Sequence, residues 1–429
     1  MILDLIAINL AKSSAYLVKN LRLGNASALP GRIALALKPK LLKNFTKQLK
    51  NSKHAYMITG TNGKTTTTGL LKQICIEDQK NSNNNPYLIC NDMGANLYYG
   101  IVAELVHSSD ISGLLKSQNY TLEVDEAAFV KVSKEIKAKS IIVTNIFRDQ
   151  LDRFGELDST QKLICTGIDN ALKDNQQKLQ LILNANDARV SQIPEHLTTK
   201  PEKIFYYSVI EKDFEDLDGK SETKTKGDFI CEIIESHDDI SQVKFIVDQK
   251  EILVDIALPG TYNIYNATAA AAAAYYQGIS LENIKKGIEN YHSIFGRSET
   301  KKINNKELKI FLIKNPTGCT EVIKHLCKTT VEDYLIIIND DYADGKDISW
   351  LWDARFDYLA KSSNAKNFLC SGHRAYDMAV RLKYAGVDSS RIKVIPDIKQ
   401  ALEYIIQEKA QTINILPTYT ALLELEKLI

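Results

Sequence analysis

Nine consecutive residues, Thr59-Gly60-Thr61-Asn62-Gly63-Lys64-Thr65-Thr66-Thr67, constrain this 429-residue chain more than any others. The run before them, His54-Ala55-Tyr56-Met57-Ile58, reads as a short buried strand. Thr68-Gly69-Leu70-Leu71-Lys72-Gln73-Ile74 behind them opens a helical pattern. Glycines at 60 and 63 let backbone N–H groups turn toward an anion at the helix N-terminus. Lys64 supplies a point charge for β- and γ-phosphates, and the Thr65 hydroxyl is placed to hold Mg²⁺. Gly60, Thr61, Asn62, Gly63, Lys64, Thr65 and Thr66 are therefore the candidate phosphate-binding residues. The loop departs from the usual G-x-x-x-x-G-K-T form in having Ile58 where the first glycine would stand. An ordinary Gly-rich turn with a surface lysine is the plainer reading. A strand and a helix on either side favour a nucleoside triphosphate site.

At this length the chain is expected to hold two or three domains. Lys and Arg number 54 against 53 Asp and Glu, so no overall field points to nucleic acid. The seven cysteines at 75, 90, 165, 231, 319, 327 and 370 form no C-x-x-C pair. That fits thiols packed as small core residues in a reducing cytoplasm, with no thiolate zinc site. The N-terminal run Met1–Lys12 is apolar but carries Asp4 and Lys12, and no window reaches 18 uncharged apolar residues. It reads as an amphipathic helix to about Leu21. Packing on its own domain is the plain expectation, and resting on a membrane surface is the alternative.

From residue 54 short β-rich runs alternate with helical patterns: 139–144 and 179–184 as strands, 125–136 and 158–173 as helices. Such alternation argues an α/β fold, a mainly parallel sheet with helices on both faces. Ligands of such sheets bind at the carboxyl ends of the strands, where 59–65 and the Thr144-Asn145 turn would lie. The polar stretch 211–226 reads as an exposed loop or insertion. Ala267-Thr268-Ala269 through Ala274 is a small-residue helix suited to close packing. A boundary near Gly296-Arg297-Ser298-Glu299 precedes a second α/β pattern, with strand candidates at 308–313, 334–338, 367–370 and 392–395.

Two polar clusters carry chemistry. Glu123-Val124-Asp125-Glu126 follows a strand end, where a carboxylate could complete a Mg²⁺ shell. An acidic run opening a helix also serves as a cap. The segment 144–156, with Asn145 and the group Arg148, Asp149, Asp152 and Arg153, follows a buried strand and should face the same ligand edge. A salt-bridged loop would explain its charges but not Asn145.

Taken in order, several motifs resemble the successive signatures of the Mur ligases. They are Thr59–Thr65, Thr144-Asn145-Ile146 with Asp149-Gln150-Leu151-Asp152, Leu183–Asp187, Gly260–Ala267 and Gly296-Arg297-Ser298-Glu299. The folylpolyglutamate synthases share the loop. Gln150 stands where other Mur ligases carry a metal-binding histidine. Asn315-Pro316-Thr317-Gly318, Asn339–Asp353, Ser371-Gly372-His373-Arg374 and Pro417-Thr418-Tyr419-Thr420 resemble the MurT branch of that family. The likeness runs from about residue 24 to the end.

The resemblance implies a central P-loop ATPase domain over 51–297 and a C-terminal Rossmann-like domain over 298–429, with residues 1–50 as a helical segment packing on the centre. It implies an ATP-dependent ligase that turns a carboxylate into an acyl phosphate. In the MurT branch the acceptor is the α-carboxylate of D-glutamate in the lipid II stem peptide, amidated to D-isoglutamine with ammonia from a GatD-like glutaminase in a heterodimer. It implies that Lys64 and the loop N–H groups bind ATP, that Thr65 and Glu123 face Mg²⁺, and that Asn145, Asn263 and Arg297 line the nucleotide site. It also implies an aspartate offered to the partner's site. Asp347 matches that position best among Asp344, Asp347 and Asp353, although a loop carboxylate capping the next helix through Ser349 would look the same. The zinc ribbon of many MurT proteins is missing, since 207–231 offers only Cys231. No zinc is expected. The location implied is cytoplasmic, touching the membrane only through a membrane-borne substrate. A ligase joining an amino acid to a carboxylate, and a nucleotide-binding subunit without catalysis, are the rival readings.

Overall fold

The structure, a computed structural model, describes residues 2–20, 28–80, 87–91, 95–147, 157–174, 179–210, 226–236, 240–292, 297–303, 305–327 and 333–429, the side chains of 2, 18–20, 174 and 297–299 excepted. Two sheets organise them. The first has nine strands: β1 (Ala55–Thr59), β2 (Ile89–Cys90), β3 (Tyr120–Glu123), β4 (Ser140–Val143), β5 (Gln180–Asn184), β6 (Lys203–Ile210), β7 (Phe229–Ser236), β8 (Ser241–Val247) and β9 (Lys250–Ile256). Their spatial order is β2-β3-β1-β4-β5-β6-β7-β8-β9. Every pair from β2 to β7 is parallel, and β7-β8-β9 form an antiparallel ribbon.

The strand residues alternate between two cores, which is what a doubly covered sheet requires. Met57, Ile141 and Leu181 join one core with Phe129, Ile164 and Ile168 from helices Glu126–Glu135 and Leu157–Asp174. Tyr56, Ile58, Ile142 and Ile182 face the other, which includes Leu70, Leu71 and Ile74 of helix Lys64–Gln79. The small-residue run lies in helix Thr261–Tyr276, where Ala267 and Ala269–Ala274 are fully buried. Its missing bulk lets that helix lie close to the strands and to helix Lys64–Gln79. Gly287 does the same for the next helix, because a Cβ there would run into Ile74.

The second sheet contains β10 (Arg297–Ile303), β11 (Lys306–Phe311), β12 (Asp333–Ile337), β13 (Asn367–Ser371), β14 (Ile392–Val394) and β15 (Thr412–Pro417), in the order β10-β11-β15-β12-β13-β14. Only the edge pair β10–β11 is antiparallel. The strand β15, which the sequence patterning passes over, sits in the centre of this sheet. Among the described residues the first strand of this sheet begins at Arg297. The polar stretch 211–226 lies outside the described residues up to 225.

The expected N-terminal helix spans Ile2–Asn20 and buries Ala7, Ile8 and Ala11. It packs against helix Leu29–Leu37, and a further short helix covers Leu41–Gln48. Among the described residues no helix is long and apolar enough to cross a membrane.

Candidate active site

The glycine loop joins β1 to helix Lys64–Gln79 at the carboxyl edge of the first sheet. Gly60 and Gly63 take left-handed backbone angles, φ 117° and 84°. A side chain on either would collide, at Gly60 with Thr144 and Asn145 and at Gly63 with Asn266. These glycines are therefore required both by conformation and by space.

Loop shape is fixed by the neighbouring strand end. Asn145 Oδ1 accepts from Asn62 N at 2.8 Å, and its Nδ2 donates to Asn62 O at 3.1 Å. Thr144 Oγ1 donates to the same carbonyl at 2.7 Å, and Thr61 N donates to Asn145 O at 2.9 Å. Asn145 therefore clamps the loop backbone on both sides. Behind it Asp187 accepts from Ile146 N at 2.8 Å while capping a short helix through Arg189 N and Val190 N. Burial pushes the Asp187 carboxyl above its ordinary range, and the backbone donors oppose that shift.

The acidic run divides its labour. Glu123, 2% exposed, accepts from Thr65 Oγ1 at 2.6 Å and from Asn96 Nδ2 at 2.9 Å. Asn91 grips its backbone on both sides, at 2.8 Å each. Asp125 is the helix cap, accepting from Ala127 N. Glu126 reaches the Lys64 ammonium at 3.3 Å. Lys64 Nζ also donates to Gly60 O at 2.5 Å and Thr61 O at 3.1 Å, so its charge is held against the loop. A hydroxyl and a carboxylate oxygen 2.6 Å apart and oriented by Asn96 form a hard oxygen set. That donor set fits Mg²⁺.

Asn263 is 4% exposed, donating to Pro259 O at 2.7 Å and accepting from Asn266 Nδ2 at 3.2 Å. It lies in the first turn of helix Thr261–Tyr276 and meets the loop through Asn266. The Arg297 backbone opens β10, while its side chain lies outside the described residues, as do Arg148, Asp149, Gln150, Asp152 and Arg153.

One contact was not foreseen. The amides of Asn62 and Asn315 face each other across the two sheets, Asn315 Nδ2 donating to Asn62 Oδ1 at 2.8 Å. Asn315 also caps helix Pro316–Leu326 through Gly318 N at 2.8 Å. The motif Asn315-Pro316 reads from sequence as a helix start, but nothing in it announces a partner 253 residues away.

The C-terminal motifs gather at the carboxyl edge of the second sheet, beyond β12, β13 and β15. Asp344 is buried and caps the last helix, Tyr419–Leu425, by accepting from Thr420 N at 2.8 Å and from the Thr420 hydroxyl. Burial raises its pKa, against those hydrogen bonds. Asp347 is half-buried and accepts from Ser349 N at 2.8 Å and Ser349 Oγ at 2.9 Å. These bonds close a turn on Ser349, the residue before helix Trp350–Asp353, and that helix has no side-chain cap of its own. Asp353 is exposed. On the same edge ligand atoms of Asp341, His373 and Glu424 lie within 4.8 Å of one another. Among the described residues no other group of three His, Cys, Asp or Glu side chains converges so closely. Asp340 pairs with Arg374 at 2.7 Å, and Tyr342, Trp352, Tyr376 and Tyr384 stand exposed.

The cysteines are free, and all but Cys327 are buried. Burial pushes the Cys231 thiol up to about 12, which opposes the thiolate a zinc ligand must become. Elemental analysis of the purified protein is expected to find no stoichiometric zinc. About one zinc per chain would overturn this.

Residues 58–274 match the Mur ligase middle domain, and residues 312–422 match the MurT ligase C-terminal domain. Lipid II isoglutaminyl synthase (glutamine-hydrolyzing) subunit MurT of Streptococcus pneumoniae is 31% identical, over 98% of this chain and 96% of its own. MurF of Acinetobacter baumannii shares the fold at TM-score 0.67 and 19% identity, over 92% of this chain and 79% of its own. MurF ligase of Thermotoga maritima, solved in complex with ADP, does so at TM-score 0.63 and 12% identity, over 92% and 82%.

Proposed function

Because this chain belongs to the Mur ligase family, matching MurT subunits along nearly all its length, we propose that it is the synthetase subunit of a lipid II isoglutaminyl synthase. Its reaction is ATP-dependent amidation of a carboxylate, the α-carboxylate of D-glutamate in the lipid II stem peptide. The observation that carries the ATP half is the convergence of Lys64, Thr65 and Glu123 at one helix N-terminus. Amidation rests on the full-length similarity, which includes the second sheet.

A carboxylate oxygen attacks the γ-phosphorus of ATP, ADP leaves, and a carboxyl becomes an acyl phosphate. Ammonia then attacks the carbonyl carbon, loses a proton, and expels phosphate. Loop N–H groups and Lys64 would hold the phosphates in line and oppose the charge that accumulates on them. Bound Mg²⁺, held by Thr65 and Glu123, would neutralise charge between the phosphates. Asn145 on the Asn62 backbone and Asn315 on the Asn62 side chain would hold the loop in place, so that little reorganisation would be left for the reaction.

The ammonia would come from a GatD-like glutaminase. Exposed Tyr342, Trp352, Tyr376 and Tyr384 support a partner at the C-terminal domain, since aromatic residues are enriched at such interfaces. Asp347 on that domain is the carboxylate proposed for the partner's site.

The test uses the purified chain with ATP, Mg²⁺, lipid II, ammonium chloride and a mixture of free amino acids. ADP release and conversion of one carboxylate to an amide, read by mass spectrometry, are expected. A product heavier by an amino acid would establish the rival ligase reading, and the absence of both products would sink the proposal.

A further inference from the structure

The near-zero net charge of the chain hides a strong asymmetry. Residues 1–53 hold ten lysines and arginines and one acid, Asp4, a formal charge of +9 in a chain whose total is +1. The remaining 376 residues therefore net −8. The same segment carries an apolar ridge. Helix Ile2–Asn20 buries Ala7, Ile8 and Ala11, yet Leu3, Ile6, Leu10 and Leu17 are 46–60% exposed. Spacings of three, four and seven residues put these four on one stripe of the helix, turned away from the buried one.

The ridge has neighbours of the same character. The loop 108–116 is hydrogen-bonded to this helix through Asn9 and Lys12, and to helix Leu41–Gln48 through Gln48. It exposes Ile111 (77%) and Leu114 (60%). On helix Leu41–Gln48 and its flanks, Lys40, Lys43, Lys47 and Lys50 are exposed at spacings of three, four and three, opposite the buried Leu41, Leu42 and Phe45. The helix with the apolar ridge and the helix with the row of ammonium groups are thus tied to each other through one loop.

We propose that these two helices dock on an anionic lipid bilayer, the leucine ridge entering the headgroup boundary and the lysine row meeting the anionic headgroups. Interfacial helices combine these two features, and each lysine or arginine near an anionic surface adds attraction. A second copy of the chain is disfavoured as occupant because two +9 segments would face each other. Nucleic acid would meet the lysines but has no use for the ridge. The docking is independent of the reaction proposed above, although it would bring the site close to a membrane-borne substrate.

The full chain is mixed with phosphatidylglycerol-containing vesicles or pure phosphatidylcholine vesicles, both free of lipid II, and separated by flotation. Binding is expected on the first, at least tenfold weaker on the second, and weakened by salt. A ridge variant (Leu3→Ser, Ile6→Ser, Leu10→Ser, Leu17→Ser) and a charge variant (Lys40→Gln, Lys43→Gln, Lys47→Gln, Lys50→Gln) should each lose binding at least tenfold. Both should keep ATP turnover with ammonium and detergent-solubilised substrate, which shows that they fold. Absent binding to phosphatidylglycerol vesicles overturns the proposal, as does binding unchanged in the ridge variant. A dimer in sedimentation that the ridge variant abolishes would assign the face to a second copy. RNA capture lost with the lysines but kept without the ridge would assign it to nucleic acid.

Discussion

Lys64→Ala is expected to abolish acyl-phosphate formation, read as ADP release with lipid II and ammonium present. The ammonium is the loop's own cation, held by Gly60 O, Thr61 O and Glu126 at the N-terminus of the helix. Its removal leaves the γ-phosphate without its main positioning charge. Retention of more than about a tenth of the activity, a loss smaller than about 1.4 kcal/mol, would refute the loop assignment. The substitution has a second effect, because Lys64 and Glu126 are both buried. Breaking such a pair on one side costs about 3–5 kcal/mol in stability. The double variant Lys64→Ala with Glu126→Gln removes that buried charge and should melt near the parent while staying inactive. If the double variant recovered ATP turnover, Lys64 would serve only to neutralise Glu126.

Asp347→Asn should separate the two half-reactions. An asparagine Oδ1 can keep the hydrogen bond from Ser349 N, so the turn survives while the charge and the acceptor for the Ser349 hydroxyl are lost. If Asp347 orients and stabilises a protonated histidine in the glutaminase partner, glutamine-dependent amidation falls by about two orders of magnitude or more. Free ammonium chloride should restore amidation, because Lys64, Thr65 and Glu123 stand on the other sheet. Equal losses with both nitrogen sources would place Asp347 in the synthetase site or the fold. Full activity with glutamine would move the role to Asp353 or remove it from this chain. Asp344 is a poor substitute, being committed to Thr420.

The local parts of the site were legible because their signals are local. Glycines 60 and 63 between an apolar run and a helical pattern specify a strand–loop–helix unit, with Lys64 and Thr65 at the start of the helix. The same holds for the alternating strands at 140–143 and 180–184, whose period matches burial on two faces. The acidic run was legible only as a choice between metal ligand and cap. The fold divides it, giving Glu123 to Thr65, Asp125 to the helix as its cap and Glu126 to Lys64. Sequence order cannot make that division, because it depends on how β1 and β3 lie in register, with Ile58 opposite Glu123. For β15, its central place follows from a crossover that no local pattern encodes.

What the sequence by itself determined is therefore the glycine loop between strand and helix, the parallel α/β character and the order of motifs along the chain. These depend on residue type and short spacing. Only the tertiary structure decided that Asn315 closes on Asn62, that Asn145 holds the loop backbone rather than a bare turn, and that Asp344 is a buried cap while Asp347 is half-buried. The first two and the Asp344 cap turn on groups 76 to 253 residues apart meeting within about 3 Å. A hydrogen bond of that length is fixed by packing of whole elements, which residue types and short spacings along a chain do not carry.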